Sequence, residues 1–396
     1  MNDKTRDFIE KNLDADIRQL ALKGCRDQEV DMELAIRQIA GWQTARHKLP
    51  SWAARDGLLY PPHLNMEQCS SEATARYKAD ICRRLLSEKS LDCRTSLIDL
   101  TGGFGVDFAF MSEAFNEGTY VERDSSLFAI ASANMGILCP QAHCINDDAI
   151  DTLHRLDQAT MLFLDPARRD DHGARTYGIS DCTPNVLELK DELLQKADVV
   201  MLKLSPMLDW RKAVSDLGSQ YIKEVHIVSV HNECKELLIV IQQQPAESLT
   251  VYCVNDDSVF SYHPSPISSN HNFHLSSFIF LYEPNASIMK AGCWAEVAQA
   301  FGVSPLAQNS HLFVSQEAVD AFPGRRFRII HMTTMNKQEL KTALQGITQA
   351  NVAVRNFPLT VAQLRKKLKL ADGGHHYIFA TTLSSGQHVL IICQKA

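Results

Sequence analysis

Apolar positions recur along this chain with two different periods, and the change of period marks its organisation. In residues 1–90, Met32, Ile36 and Ile39 fall at i, i+4 and i+7 with charged residues between them, one face of an amphipathic helix. Leu49-Pro50-Ser51-Trp52 and Pro61-Pro62 interrupt this helical region as ordered loops, and Ser70 or Ser71 caps a further helix over 73–86. From about 94 to 243, short apolar runs alternate with helical stretches. The runs at 96–100, 119–122, 143–146, 161–165, 198–204, 225–230 and 237–242 predict strands. Helical stretches lie between the first six, which predicts mostly parallel pairing, and a short connection makes the last strand return antiparallel.

The region 245–275, with Pro245, Pro264, Pro266 and Ser268-Ser269-Asn270, reads as a linker with one or two short strands. Beyond it, apolar runs at 328–331, 352–354, 377–380 and 389–393 flank helices near 337–345 and 360–369. Asn336 with Glu339 has the spacing of a capping box for the first of these helices. The expected architecture is therefore α/β: a helical domain over 1–90, a Rossmann-like sheet domain over 91–245, a linker over 246–275, a segment over 276–320 and a small α+β domain over 321–396.

Chemistry concentrates at Leu97-Ile98-Asp99-Leu100-Thr101-Gly102-Gly103-Phe104-Gly105-Val106-Asp107, where a buried strand ends in an acid and a glycine-rich turn opens a helix. Glycine there lets the backbone come close to a ligand, although tight turns of this kind also occur without one. The next strand ends in Glu122-Arg123-Asp124, a carboxylate placed to accept from a ribose diol, and the third ends in Asn146-Asp147-Asp148. A dinucleotide fold competes, but its third glycine is here Phe108, and it does not call for the acid at Asp99. An acidic pocket also suits a cationic cofactor better than a pyrophosphate.

These residues resemble the class I S-adenosylmethionine-dependent methyltransferases. The likeness covers Asp99–Asp107, Glu122, Asp148 and the fourth-strand motif Leu164-Asp165-Pro166-Ala167-Arg168-Arg169. It implies S-adenosylmethionine as cofactor, with Glu122 and the adjacent Arg123 at the ribose and Asp148 at the adenine amine. Asp99, Thr101, Gly102, Gly103, Gly105 and Asp107 would surround the methionine moiety. The segment 67–75, including Thr74, resembles the helix that folds over the cofactor in this superfamily. More narrowly, the whole chain resembles a bacterial group of methyltransferases with a ferredoxin-like segment and a THUMP-like domain at the carboxyl end. Tyr282-Glu283-Pro284-Asn285, Asp372-Gly373-Gly374 and Ala380-Thr381-Thr382 carry that part.

Methyl transfer needs alignment of nucleophile and methyl group and removal of the nucleophile's proton. The resemblance places the acceptor beside Asp165 and Pro166. Amino-group methyltransferases continue with a second proline and an aromatic, where this chain has Ala167 and Arg168; Phe163, Tyr177 or Trp210 could supply a ring. Arg168 and Arg169 could grip a substrate phosphate, or pair with Asp170, Asp171 or Asp181. Carbon methylation of pyrimidines in related families uses a Cys beside proline after the fifth strand, where Lys203-Leu204-Ser205-Pro206 stands here. That disfavours carbon chemistry and leaves a nucleobase nitrogen as the preferred acceptor, with Lys203 expected near the substrate. The eleven cysteines are scattered without a Cys-x-x-Cys pair, and the histidines show no metal spacing, so thiols are expected reduced and no metal is expected.

Charge changes the picture last. Of 396 residues, 45% are hydrophobic and the formal net charge is −7, which taken alone argues against a nucleic-acid partner. The distribution argues the other way. Residues 321–396 carry eleven Lys or Arg against two acids, +9, so residues 1–320 carry −16. Arg325, Arg326, Arg328, Arg365, Lys366, Lys367 and Lys369 form the expected phosphate-binding surface for RNA, and a solvated basic face is the plain alternative. No apolar run approaches the ~18 residues of a membrane span, and the first residues lack a signal region, so a cytoplasmic protein without a membrane partner is expected. The readings that stay open are an RNA methyltransferase, a methyltransferase of a small molecule or protein, and a non-catalytic module binding cofactor and RNA.

Overall fold

Polar caps and apolar runs fall into register in the computed structural model, which describes residues 1–88, 94–168, 178–264, 278–307 and 309–396. The chain divides into two compact units: residues 1–225 with 236–249, and residues 226–235 with 250–396.

Unit 1 opens with helices α1 (Asp3–Lys11), α2 (Ile17–Lys23), α3 (Met32–Lys48), α4 (Pro50–Ala53), α5 (His63–Gln68) and α6 (Glu72–Ser87). Asn2, Asp16, Asp31 and Ser71 each accept the N–H three residues on, so α1, α2, α3 and α6 begin at side-chain caps. The segment at Pro50, expected as loop, is the short helix α4, because proline at the first turn costs no hydrogen bond. Two amides tie the next segment down. Gln38 pairs with both backbone groups of Tyr60 at 2.8 and 2.9 Å, and Asn134 does the same for Leu59 at 2.8 Å.

The sheet of this unit has β1 (Ser96–Asp99), β2 (Glu117–Val121), β3 (His143–Ile145), β4 (Ala159–Leu164), β5 (Ala197–Leu204), β6 (Ile222–Val230) and β7 (Glu233–Gln242), in the order β3-β2-β1-β4-β5-β7-β6. Strands β1 to β5 pair parallel and β7 pairs antiparallel with β5. The helices between them are α7 (Val106–Ser112), α8 (Ser125–Leu138), α9 (Ala149–Arg155), α10 (Val186–Lys196) and α11 (Trp210–Leu217). Register sets Asp99 beside both Tyr120 and Phe163, which gathers the carboxyl ends of β1, β2 and β4 at one edge. Crossover geometry leaves that edge open for ligands in parallel sheets.

Unit 2 contains the tip of the β6–β7 hairpin, turned by His231 and Asn232 in left-handed conformation, and a second hairpin, β8 (Thr250–Asn255) and β9 (Ser258–Tyr262). A seven-stranded sheet follows: β10 (Phe280–Pro284), β11 (Ser304–Pro305), β12 (Phe313–Ser315), β13 (Gly324–Thr334), β14 (Asn351–Arg355), β15 (His376–Thr382) and β16 (His388–Lys395), ordered β11-β12-β10-β13-β16-β15-β14. Helices α12 (Ala286–Ala291) and α13 (Trp294–Phe301) follow β10, while α14 (Lys337–Ala343) and α15 (Val361–Leu368) lie in the later part. One face packs Ile378, Ala380, Leu390 and Ile392 against Ala343 of α14 and Leu364 of α15. The other joins Leu281 of β10 to Phe379 of β15, with Ala353 of β14 packed alongside. Strands that far apart in the order share a core only because the sheet curls.

The expected capping box at α14 does not form. Asn336 caps the helix, but Glu339 turns away to accept from the backbone and hydroxyl of Thr334. The box sits instead on α15, between Thr360 and Gln363.

Candidate functional site

Asp99 ends β1 almost fully buried, with its Oδ1 accepting the Thr101 N–H at 3.0 Å. Burial pushes its carboxyl well above the usual range, Asp107 and Asp165 add to that, and the Thr101 N–H and Lys203 only oppose it. The glycine turn then wraps Tyr120. A Cβ on Gly102 would stand 2.1 Å from the Tyr120 ring, and one on Gly105 would stand 2.7 Å from Met135, where φ is also +84°. Tyr120 donates its hydroxyl to the Gly103 carbonyl. Only glycine fits these positions, so the loop is shaped by its own packing.

Glu122, just past β2, is held between two backbone donors, Gly103 N–H at 2.9 Å and Asp124 N–H at 2.7 Å. Asp148 caps α9 by accepting the Ile150 N–H at 2.8 Å, and Arg123 is exposed. Thr74 is buried in the first turn of α6, where its hydroxyl donates to the Ser71 carbonyl. Thr101 accepts the Asp165 N–H at 2.6 Å, which ties the loop after β1 to the residue after β4. Pro166 is buried; Ala167 and Arg168 pair antiparallel with Thr183 and Cys182. The Arg168 side chain, with Arg169, Asp170, Asp171 and Tyr177, lies outside the described residues.

Below this edge runs a buried ionic network. Lys78 Nζ, with no exposed surface, lies 2.5 Å from Glu236 Oε1 and 3.2 Å from Asp107 Oδ1. Lys203 Nζ lies 2.5 Å from Asp165 Oδ2 and 3.4 Å from Asp107 Oδ2, and Ser70 donates to Asp107 Oδ2 at 2.7 Å. Burial alone would lower the Lys203 pKa, but Asp165, Asp107 and Glu236 outweigh it and hold the ammonium well above its ordinary value. Burial raises Glu236 despite Lys78, whereas Lys78 and Lys203 together overcome burial at Asp107 and lower it. Lys203, expected to meet substrate, is therefore engaged inside the protein, where its charge fixes Asp165.

Lys78 and Glu236 escape a motif-based reading, while Ser70, within the 67–75 segment, donates to Asp107 rather than capping α6, which Ser71 does. A signal for Lys78 does exist: it shares the face of Ala75, Cys82 and Leu85, so a cation sits on a face that faces the core.

In unit 2 the expected basic residues divide. Arg325 pairs with Glu283, Arg326 with Asp320 and Arg365 with Asp372. Arg328, Lys366, Lys367 and Lys369 are exposed.

Comparison with known proteins agrees with these observations. Residues 280–323 match a ferredoxin-like domain family and residues 324–395 match a THUMP domain-like family. No curated protein matches the chain. The crystal structure of a candidate methyltransferase from Porphyromonas gingivalis W83 covers 100% of this chain and 99% of its own, at 29% identity and a TM-score of 0.85. A candidate RNA methyltransferase from Pyrococcus horikoshii covers 50% of this chain and 96% of its own at 12% identity, with a TM-score of 0.37. The chain thus has a class I methyltransferase fold continued by ferredoxin-like and THUMP-like segments, the arrangement it shares over its full length with the P. gingivalis protein.

Proposed function

We propose that this chain is an S-adenosylmethionine-dependent methyltransferase acting on RNA, with a nucleobase nitrogen as acceptor. The observation that carries the reading is the line of carboxylates Asp99, Glu122 and Asp165 at the open ends of β1, β2 and β4, over a glycine loop. In and beside the network beneath, the acidic side chains Asp99, Asp107, Asp165 and Glu236 outnumber Lys78 and Lys203, so the edge favours a cationic ligand. The residues therefore fit a sulfonium cofactor.

That cofactor supplies an electrophilic methyl group. Glu122, oriented by Gly103 and Asp124, receives the ribose hydroxyls; Asp148 lies toward the base; Asp99 and the loop 101–105 surround the amino-acid end. Asp165 is half-exposed, and Lys203 holds one of its oxygens. The other has no partner among the described residues and accepts the N–H of the acceptor, drawing density onto the nitrogen that attacks. The basic surface of unit 2, through Arg328, Lys366, Lys367 and Lys369, supports RNA as the class of substrate.

Calorimetry with S-adenosylhomocysteine tests the cofactor assignment. Glu122→Ala is expected to weaken binding by about tenfold to a hundredfold, the loss of charge-assisted hydrogen bonds; unchanged affinity refutes the placement. Transfer of a radioactive methyl group to RNA from cells lacking the gene tests the substrate class, and incorporation only into protein or small molecules refutes RNA.

A further inference from the structure

Two motifs from the carboxyl-terminal part, Tyr282-Glu283-Pro284-Asn285 and Ala380-Thr381-Thr382, remain without a role in methyl transfer, and the curled sheet brings them together. Glu283 is buried at the end of β10. Its Oε2 accepts from Arg325 Nε at 2.8 Å, and its Oε1 accepts from Arg355 Nη2 at 2.9 Å. Arg325 lies opposite Glu283 across the β10–β13 ladder, whereas Arg355 reaches it from the far edge strand β14. Thr381 pairs in register with Arg355 in the parallel β14–β15 ladder, so both side chains leave the same face.

The polar accounting at this place is incomplete. Thr381 has no exposed surface, yet its Oγ1 has no hydrogen-bond partner among the described residues, and neither has the buried Nε of Arg355. Buried polar groups left unpaired are costly and need an explanation. Charge is unbalanced too: one carboxylate faces two guanidiniums, which leaves a net +1. The Arg325 and Arg355 side chains are 52% and 33% exposed, so their remaining donors reach solvent from fixed positions. Beside them lies an aromatic pair. His311 lies two residues before Phe313, which pairs with Tyr282 at the end of the β10–β12 ladder, and it stacks on Trp294 with centroids 4.6 Å apart and planes 9° apart. His311 is half-buried in left-handed conformation, and burial, with Arg355 adding to it, lowers its pKa.

We propose that this end of the unit 2 sheet is a nucleotide site: Arg325 and Arg355, spread by Glu283, take a phosphate with Thr381 at its base, and Trp294 with His311 stacks the attached base. Fixed guanidiniums suit phosphate geometry, a hydroxyl donor serves an anion, and stacked rings accept any base face. A free mononucleotide and the terminal nucleotide of an RNA share this chemistry. The site involves no methyl donor, so it stands or falls separately from the methyltransferase reading.

The test uses the full chain without S-adenosylmethionine. Adenosine 5′-monophosphate, inorganic phosphate, and a tetraribonucleotide with or without a terminal phosphate are titrated in parallel by calorimetry. The wild type is expected to bind the mononucleotide saturably and about tenfold tighter than phosphate. Thr381→Val is expected to weaken phosphate and mononucleotide alike about fivefold to tenfold, with thermal stability unchanged or raised, because it removes an unpaired hydroxyl. Trp294→Leu is expected to abolish the advantage of mononucleotide over phosphate. Tighter binding of the phosphorylated tetranucleotide than of the mononucleotide assigns the site to RNA ends, and the reverse assigns it to free nucleotides. Absence of saturable binding to the wild type up to about 10 mM overturns the proposal. So does a Thr381→Val protein that binds every probe as the wild type does.

Discussion

The two units handle buried charge in opposite ways. In unit 1 two lysines lie among carboxylates: Lys78 between Asp107 and Glu236, Lys203 between Asp107 and Asp165, with Asp99 close by. In unit 2 one carboxylate, Glu283, lies between two arginines. Acid in excess favours a cation at the first place, and base in excess favours an anion at the second. Lysine and arginine suit these settings for different reasons. A compact ammonium can be enclosed by several carboxylates, whereas a guanidinium gives one edge to Glu283 and keeps donors for a ligand.

The comparison breaks most visibly at Lys78. Lys78→Met leaves Asp107 and Glu236 buried without their shared cation, and an expected loss of ~3–5 kcal/mol would show as a large fall in thermal midpoint. A loss below ~1 kcal/mol would mean that the network is solvated. Glu283→Gln keeps the shape but leaves two arginines without a charge partner. Its expected cost is smaller, ~1–3 kcal/mol, because both guanidiniums still reach water, and hydrogen exchange should place the loosening in β10, β13 and β14.

Asp99→Asn sharpens the contrast from the other side. The folded carboxyl has a raised pKa, so its favourable contribution is present below the unfolded value of 3.8 and is lost as pH rises through the folded value. Asparagine resembles the protonated form at every pH. The variant is therefore expected to be more stable than the wild type by ~1 kcal/mol at pH 8, with the difference shrinking as pH falls, while S-adenosylhomocysteine binding weakens. Denaturant titrations at three pH values check this; a difference that grows toward acid pH would reverse the assignment.

Much of unit 1 is legible in the chain itself. The alternation of apolar runs and helical stretches is local, so it foretells the strands and the antiparallel return of β7. The acid–glycine pattern at 99–107 is legible because a tight turn from strand to helix restricts residue type within a few positions. Short-range signals fail where another partner competes, whether near in the chain or far along it. Glu339 has the spacing of a capping residue, yet Thr334 offers it a backbone N–H and a hydroxyl together, so the local rule loses. Lys203 follows the same logic: its position near the end of β5 suggests a residue open to substrate, and only the approach of Asp165 and Asp107 shows that it is occupied.

The sequence by itself determined the α/β order, the glycine turn with its flanking acids and the sign of charge in each part, since all three depend on neighbours within a few residues. Only the tertiary structure decided which charges meet. Glu236 reaches Lys78 across 158 positions, and Arg355 reaches Glu283 across 72, through strand order and sheet curl. Pairings of that kind carry no local signature, because the attraction between two charges depends on their distance in space and on the water excluded between them.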